Sequence, residues 1–245
     1  MPRKKKEEED IDRAEVRVKV TKRFTSWSFS RYEQHATCPY QAGLRHLEKL
    51  PEGPKGEPLL RGDRLHKSAA AYIKGFIKQP DGELKLVRPI LNKLRKEFPK
   101  GTVEVEKQLA LTKSWQPTEW FGPQAWFRSV IDLKEHLSPK KLRITDWKTG
   151  KVNQNEDKMF YQLELYALDG FIEHPKVEKV ESRLFYTDHN LPQVRVYGRD
   201  ELTKLKVKWL KRVKPMLAEE RFDPTPGRHC TYCHYRKANG GPCIY

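Results

Sequence analysis

Residues 130–166 read VIDLKEHLSPKKLRITDWKTGKVNQNEDKMFYQLELY, and this stretch limits the possible folds more than any other. Apolar-rich runs at 130–133 and 142–147 flank a polar turn holding Ser138 and Pro139, the pattern of a β-hairpin. Side chains alternate across a strand, so Asp146 and Lys148 share one face and Trp147 takes the other. Asp132, on the partner strand, can project to the same place. Two carboxylates and an ammonium at a hairpin edge have a chemical use. Hard oxygen ligands suit Mg2+ or Mn2+, and a lysine beside them can orient an attacking water or neutralise charge on a phosphate. An isolated D-x-K is ordinarily a solvent-facing surface feature. Here the Thr149-Gly150 turn follows, and then Gln162 and Tyr166 share one face of a helical run over residues 160–171.

Asp132, Asp146-Trp147-Lys148-Thr149-Gly150 and Gln162-Leu163-Glu164-Leu165-Tyr166 together resemble the PD-(D/E)XK nuclease superfamily. The branch they look most like is the RecB-like nucleases, with their GxxD … D-[YW]-K-T-G … QxxxY series. Ser129 stands where that series frequently has its glycine. Ser28-Phe29-Ser30-Arg31-Tyr32-Glu33, leading to Cys38-Pro39-Tyr40, is similar to the opening of the same nucleases, and Gly62-x-x-Leu65-His66 to their helical histidine motif.

The resemblance implies an α/β, restriction-endonuclease-like core: a small mixed β-sheet of four or five strands flanked by helices, with a Cys-rich C-terminal tail docked on the N-terminal helical segment. It also implies metal-dependent hydrolysis of DNA, as an exonuclease in recombination, repair or phage DNA processing. Asp132, Asp146, His66 and Glu106 would hold Mg2+ or Mn2+, and Lys148 would position the water. Gln162 and Tyr166 would orient the DNA backbone or the lysine. Glu104 is expected on the same strand face as Glu106, so the choice between them stays open. The alternative is a nuclease fold that clamps DNA without cutting it, as a structural subunit.

The rest of the chain fits one generous domain with a small appendage. We expect a charged, disordered arm at residues 1–14, the nuclease domain at 15–222 and a Cys-rich tail at 223–245. Lys and Arg number 49 against 33 acidic residues, a formal charge of +16 that favours a polyanionic partner such as DNA. A separate helicase or recombinase is a further possible partner. No apolar run approaches the roughly 20 residues that span a bilayer, and no signal peptide is visible. The expectation is a cytoplasmic protein of a bacterial or phage-infected cell, without a membrane partner.

Periodicity predicts helices over residues 31–50 (capped by Ser28 or Ser30, interrupted at Pro39), 60–77 and 87–98. Residues 103–111 alternate as a strand. Two further strands, 180–187 and 193–197, surround an Asn-Leu-Pro turn. A charged helix over 199–220 carries Leu202, Leu205, Val207, Leu210, Val213 and Leu217 as its buried stripe. Trp115, Trp120, Phe121, Trp126 and Phe127 surround a Gly-Pro turn. Most should pack on the sheet, and exposed ones could stack on bases.

Cys230 and Cys233 have metal-ligand spacing, and Cys243 and Cys38 complete a set of four with none left over. A buried, purely apolar Cys38 is the plain alternative. One branch of RecB-like nucleases, the AddB type included, carries one cysteine before the core and three after it. That resemblance implies a 4Fe-4S cluster on Cys38, Cys230, Cys233 and Cys243. The gap to Cys243 is longer than the common spacing, and His229 and His234 leave zinc as an alternative.

Overall fold

In the computed structural model, which describes residues 18–152 and 156–245, the chain divides into two compact units: residues 18–54 with Lys211–Tyr245, and Lys55–Leu210. The arm expected at residues 1–14 lies outside the described residues.

In the first unit, Pro39 decides the local structure. Proline has no N–H to donate and pushes the residue before it to extended backbone, so Cys38 sits at φ −157°. The expected helix becomes two, α1 (Phe29–Thr37) and α2 (Pro39–His46). Ser28 caps α1, its Oγ accepting the Arg31 N–H at 3.4 Å. The Cys-rich tail docks on this helical segment, as Tyr235 donates its OH to the Leu50 carbonyl at 3.1 Å and the Thr225 N–H meets Cys38 Sγ at 3.5 Å.

The second unit opens with α3 (Glu57–Ile73), which starts earlier than expected because Pro58 is tolerated in a first helical turn. A 3-10 turn over Gly82–Val87 leads into α4 (Arg88–Glu97). Among the described residues six strands follow: β1 (Val103–Leu111), β2 (Pro117–Thr118), β3 (Phe127–Ser138), β4 (Lys141–Lys148), β5 (Lys179–Tyr186) and β6 (Leu191–Gly198). They form one sheet in the order β2-β1-β3-β4-β5-β6. The strand beyond the expected four or five is the two-residue β2. The β3–β4 hairpin is antiparallel, and β5 lies parallel to β4, with Asp146 opposite Leu184 and Lys148 opposite Tyr186. Helix α5 (Glu156–Glu173) makes the crossover that a parallel pair requires. The sheet is therefore mixed, with helices on both faces.

On one face Val103, Val105, Leu133, Trp147 and Phe185 are buried with Leu65, Ala69 and Ile73 of α3 and Leu91 and Leu94 of α4. On the other lies α5, close enough that a Cβ on Gly170 would come within 3.0 Å of Ile144 and 3.1 Å of Val180. Leu163, Leu165, Ala167, Leu168 and Phe171 are all buried, so this helix is covered nearly all round.

Two expectations need correction. The β5–β6 turn is Thr187–Asn190, not Asn-Leu-Pro: Asn190 takes a left-handed φ of 49°, while Leu191 and Pro192 already pair with Tyr186 and Phe185. Helix α6 (Leu202–Ala218) buries Leu205, Trp209, Val213 and Met216, whereas Val207 and Leu210 are exposed. The buried set follows steps of four and three, which keeps one side of a 3.6-residue helix, and Val207 and Leu210 fall off that side. Trp115, Trp126 and Phe127 pack internally, and Phe121 is exposed. Among the described residues no helix is long and apolar enough to cross a membrane.

Candidate active site

The site grows from the place where the β3–β4 ladder stops. Pairing ends at Leu133 opposite Thr145. One residue further along, the Asp132 carboxylate takes over the acceptor role, with Oδ2 receiving the Trp147 N–H at 2.8 Å. Trp147 turns into the core against Phe185, which sends its neighbours Asp146 and Lys148 to the other face.

Asp146 is held from two sides. Lys148 Nζ lies 2.6 Å from its Oδ2. Gln162 Nε2 donates to its Oδ1 at 3.0 Å, and Tyr166 donates its hydroxyl to the same oxygen. Gln162 Nε2 also reaches the Tyr166 hydroxyl at 2.6 Å. The one-turn spacing of these two residues on α5 thus grips a single carboxylate oxygen. His66, on α3, places Nδ1 3.3 Å from Asp132 Oδ2. Burial raises the Tyr166 pKa well above its ordinary value, and the Asp146 charge adds to it, so the phenol keeps the proton it donates.

The carboxylates feel their own crowding. Burial pushes the Asp132 pKa up and the Asp146 charge adds to this, against the pull of His66 and the Trp147 N–H. Glu106 is raised by burial and by Asp132. Burial opposes a charge on His66, but Asp132 and then Asp146 hold its pKa up to about 9. Negative charge therefore accumulates at a place that favours a bound cation, and the oxygen-rich donors with one imidazole suit Mg2+ or Mn2+. Among the described residues, no three of His66, Glu106, Asp132 and Asp146 bring donor atoms within 4.8 Å of one another. Each aspartate is instead drawn to its own partner, His66 or Lys148.

Glu104 and Glu106 do not share a face. Glu106 adopts φ 54°, and it drops out of the β1–β3 ladder although the register continues on either side, Val105 to Leu133 and Lys107 to Ile131. This left-handed residue breaks the alternation. Glu106 is sensitive to Asp132 and His66, while Glu104 ion-pairs with Lys107 at 3.2 Å. Gly62, on α3, is not crowded by any neighbouring backbone. A Cβ there would meet Thr149 Oγ1 at 3.5 Å, an ordinary contact, so no backbone approach demands glycine. Gly62 instead lines an open cleft of about 420 Å3 with Pro58, Leu59, His66, Glu106 and Lys148.

Three residues that the sequence did not single out hold the D-W-K-T-G turn. Thr187 donates its N–H to the Lys148 carbonyl at 2.9 Å, and its hydroxyl does so at 3.2 Å. Asp188 Oδ2 accepts the Gly150 N–H at 2.7 Å, while Arg61 of α3 grips both Asp188 oxygens at 2.9 and 2.8 Å. This fork ties the lysine turn to the helix carrying His66. The available signal was weak: a polar turn after a strand, and an arginine beside Gly62.

The four cysteines line one pocket in the first unit, with Cys38, Cys233 and Cys243 buried. Their sulfurs attract N–H donors: Thr225 to Cys38, Gly227 to Cys230 at 3.4 Å and Gln41 to Cys233 at 3.6 Å. Burial raises the Cys233 pKa, and the other three cysteines add to it, so thiolates here need a compensating cation. The soft donor set fits a metal or cluster.

A sequence model of the PD-(D/E)XK nuclease superfamily matches residues 26–238. The chain belongs to the PD-(D/E)XK nuclease superfamily. No curated protein matches it in sequence. A crystal structure from Eubacterium rectale, provisionally described as an exonuclease, is similar over 86% of this chain and 88% of that one, with 15% identity and a TM-score of 0.48. Another, of the protein SSO0001, covers 88% and 86% at 14% identity and a TM-score of 0.38. The mixed sheet flanked by helices is the restriction-endonuclease-like arrangement of a PD-(D/E)XK nuclease.

Proposed function

We propose that this PD-(D/E)XK nuclease is a metal-dependent deoxyribonuclease of the RecB-like branch, acting as an exonuclease in recombination, repair or phage DNA processing. The observation that carries the reading is the double grip on Asp146, by Lys148 on one oxygen and by Gln162 and Tyr166 on the other, next to Asp132 and His66. Asp132 and Asp146, with His66 and Glu106, would hold Mg2+ or Mn2+. When bound, the ion supplies charge stabilisation at the attacked phosphate. Lys148 releases one hand from Asp146 to hydrogen-bond the attacking water and orient it. Gln162 and Tyr166 keep Asp146 in one orientation through that exchange. The open cleft beside His66 and Lys148 gives a DNA strand access, and the +16 charge favours its backbone.

Cys38, Cys230, Cys233 and Cys243, which line one pocket, would hold a 4Fe-4S cluster, with zinc as the alternative. Tetrahedral zinc with bonds of about 2.3 Å needs sulfurs roughly 3.8 Å apart. Among the described residues no three cysteine sulfurs lie within 4.8 Å of one another, so zinc would require the thiols to close. The cluster's role would be to tie the tail to the helical segment that carries Cys38.

The test is degradation of end-labelled linear and closed-circular DNA with Mg2+ or Mn2+, with Lys148→Ala alongside. Loss of the linear substrate alone, absent from the variant, supports the exonuclease. Nicking of the circle makes it an endonuclease, and binding without cutting by well-folded protein makes it a clamp. Iron and acid-labile sulfide analysis tests the cluster separately.

A further inference from the structure

Away from the nuclease centre, a second set of donors converges on the sheet. Glu104 from β1, His136 from β3 and His174, the residue following α5, each offer a ligand atom within 4.8 Å of the other two. Among the described residues no other trio of His, Cys, Asp or Glu meets this. His136 lies four residues from Asp132 on the same strand, about 13 Å along it.

Local structure aims these side chains at one another. The β3–β4 register shifts between His136 and Ser138, an irregularity of the kind that redirects a side chain. The His136 N–H is fixed to the Thr102 carbonyl at 2.8 Å. The two imidazoles stand edge to face, 5.0 Å between centroids at 87°. His136 Nε2 is 2.9 Å from Glu104 Oε1, and a carboxylate only accepts, so this nitrogen carries the proton. His174 Nε2 lies 3.4 Å from Lys134 Nζ. An ammonium only donates, so His174 Nε2 presents a lone pair that already faces a cation.

The bland reading is a hydrogen-bonded polar cluster, and its charges are balanced. Lys134 is fully buried, ion-paired to Glu173, and 3.7 Å from Glu104 Oε1, while Lys107 holds the other Glu104 oxygen. His136 already meets the Glu104 carboxylate, and His174 Nε2 lies 3.4 Å from Lys134 Nζ and 3.8 Å from Glu173 Oε2, so an ion entering here takes the place of the Lys134 ammonium at His174. An open cleft of about 660 Å3, lined by His136, Glu173 and His174, gives an ion a way in and room for a water as fourth ligand.

We propose that Glu104, His136 and His174 form a second metal site that takes one imidazole-preferring divalent ion of the zinc class. Two imidazoles and one carboxylate are a zinc donor set, and hard Mg2+ is disfavoured by the nitrogen ligands. His136 would move its proton to Nδ1 to ligate. Bonds of about 2.1 Å require the donors to close to roughly 3.4 Å, a side-chain adjustment of about 1 Å. The ion would pin the C-terminal end of α5, the helix carrying Gln162 and Tyr166, to β1 and β3.

The test is equilibrium dialysis of the protein as purified against Zn2+, followed by metal analysis, for the wild type, His136→Ala/His174→Ala, Glu104→Gln and Asp132→Asn. The proposal expects one equivalent of tightly bound zinc that the double-histidine variant loses and Asp132→Asn keeps, with at least about tenfold weaker binding in Glu104→Gln. Equal zinc content in the wild type and the double variant would overturn it, as would loss of that equivalent in Asp132→Asn. A misfolded double variant does not rescue it: wild-type crystals soaked in Zn2+ must show an anomalous peak among the three side chains, and its absence also overturns it.

Discussion

Tyr166→Phe isolates the positioning role of α5. The ring is buried, and the substitution leaves its shape, the Gln162 bond to Asp146 at 3.0 Å and the Lys148 contact in place. It deletes the hydroxyl's bond to the Asp146 carboxylate, worth about 1.5–3 kcal/mol, together with the bond the hydroxyl accepts from Gln162. If that bond holds Asp146 in its productive orientation, most of the loss falls on turnover. A factor of ten corresponds to about 1.4 kcal/mol, so single-turnover cleavage should slow by roughly 10–100-fold. The apparent metal affinity should fall with it. The melting temperature, measured on the same preparation, separates this from unfolding. The double variant with Gln162→Ala should lose less than the product of the two single losses, because both donors serve Asp146 Oδ1. Wild-type rate and metal dependence in Tyr166→Phe would refute the reasoning.

Asp188→Asn weakens the fork that joins Arg61 to the Gly150 turn, and turnover should drop by about tenfold with smaller change in DNA affinity, measured by cleavage and binding side by side. Gly62→Ala should melt within about 1 kcal/mol of wild type, because its Cβ meets an ordinary contact and helix propensity favours alanine. Burial raises Asp169 to about 8, so its carboxyl is neutral in the folded protein at neutral pH. Below about pH 4 it is protonated folded and unfolded alike; between there and the folded value only the unfolded chain ionises, so stability falls as pH rises. Asp169→Asn should remove up to about 1.4 kcal/mol per pH unit of that slope in denaturant titrations between roughly pH 5 and 7.

What the sequence made legible was local. Alternation put Asp146 and Lys148 opposite Trp147, and a four-residue step put Gln162 beside Tyr166; both hold because each depends on the geometry of a single element. The split at Pro39 and the two strands that follow α5 were equally readable. The failures came where backbone leaves the regular pattern or where elements meet. Glu106 turns left-handed and breaks the alternation, which no two-residue period can announce. Asp188 matters because Arg61, far off in sequence, reaches it. Glu104, His136 and His174 come from three elements and share no spacing. Val207 and Leu210 look like core but sit off the buried side of α6.

The most direct measurement of the central claim is the cleavage rate of end-labelled DNA by Asp146→Asn against wild type, at saturating Mn2+ with DNA binding checked for both. The substitution keeps the side chain's size and one oxygen for Gln162 and Tyr166, but removes the charge that Lys148 and a metal ion would share. The account predicts that wild type degrades the DNA while Asp146→Asn binds it and falls by at least about a thousandfold in rate, which is roughly 4 kcal/mol. Cleavage by Asp146→Asn at the wild-type rate would contradict it.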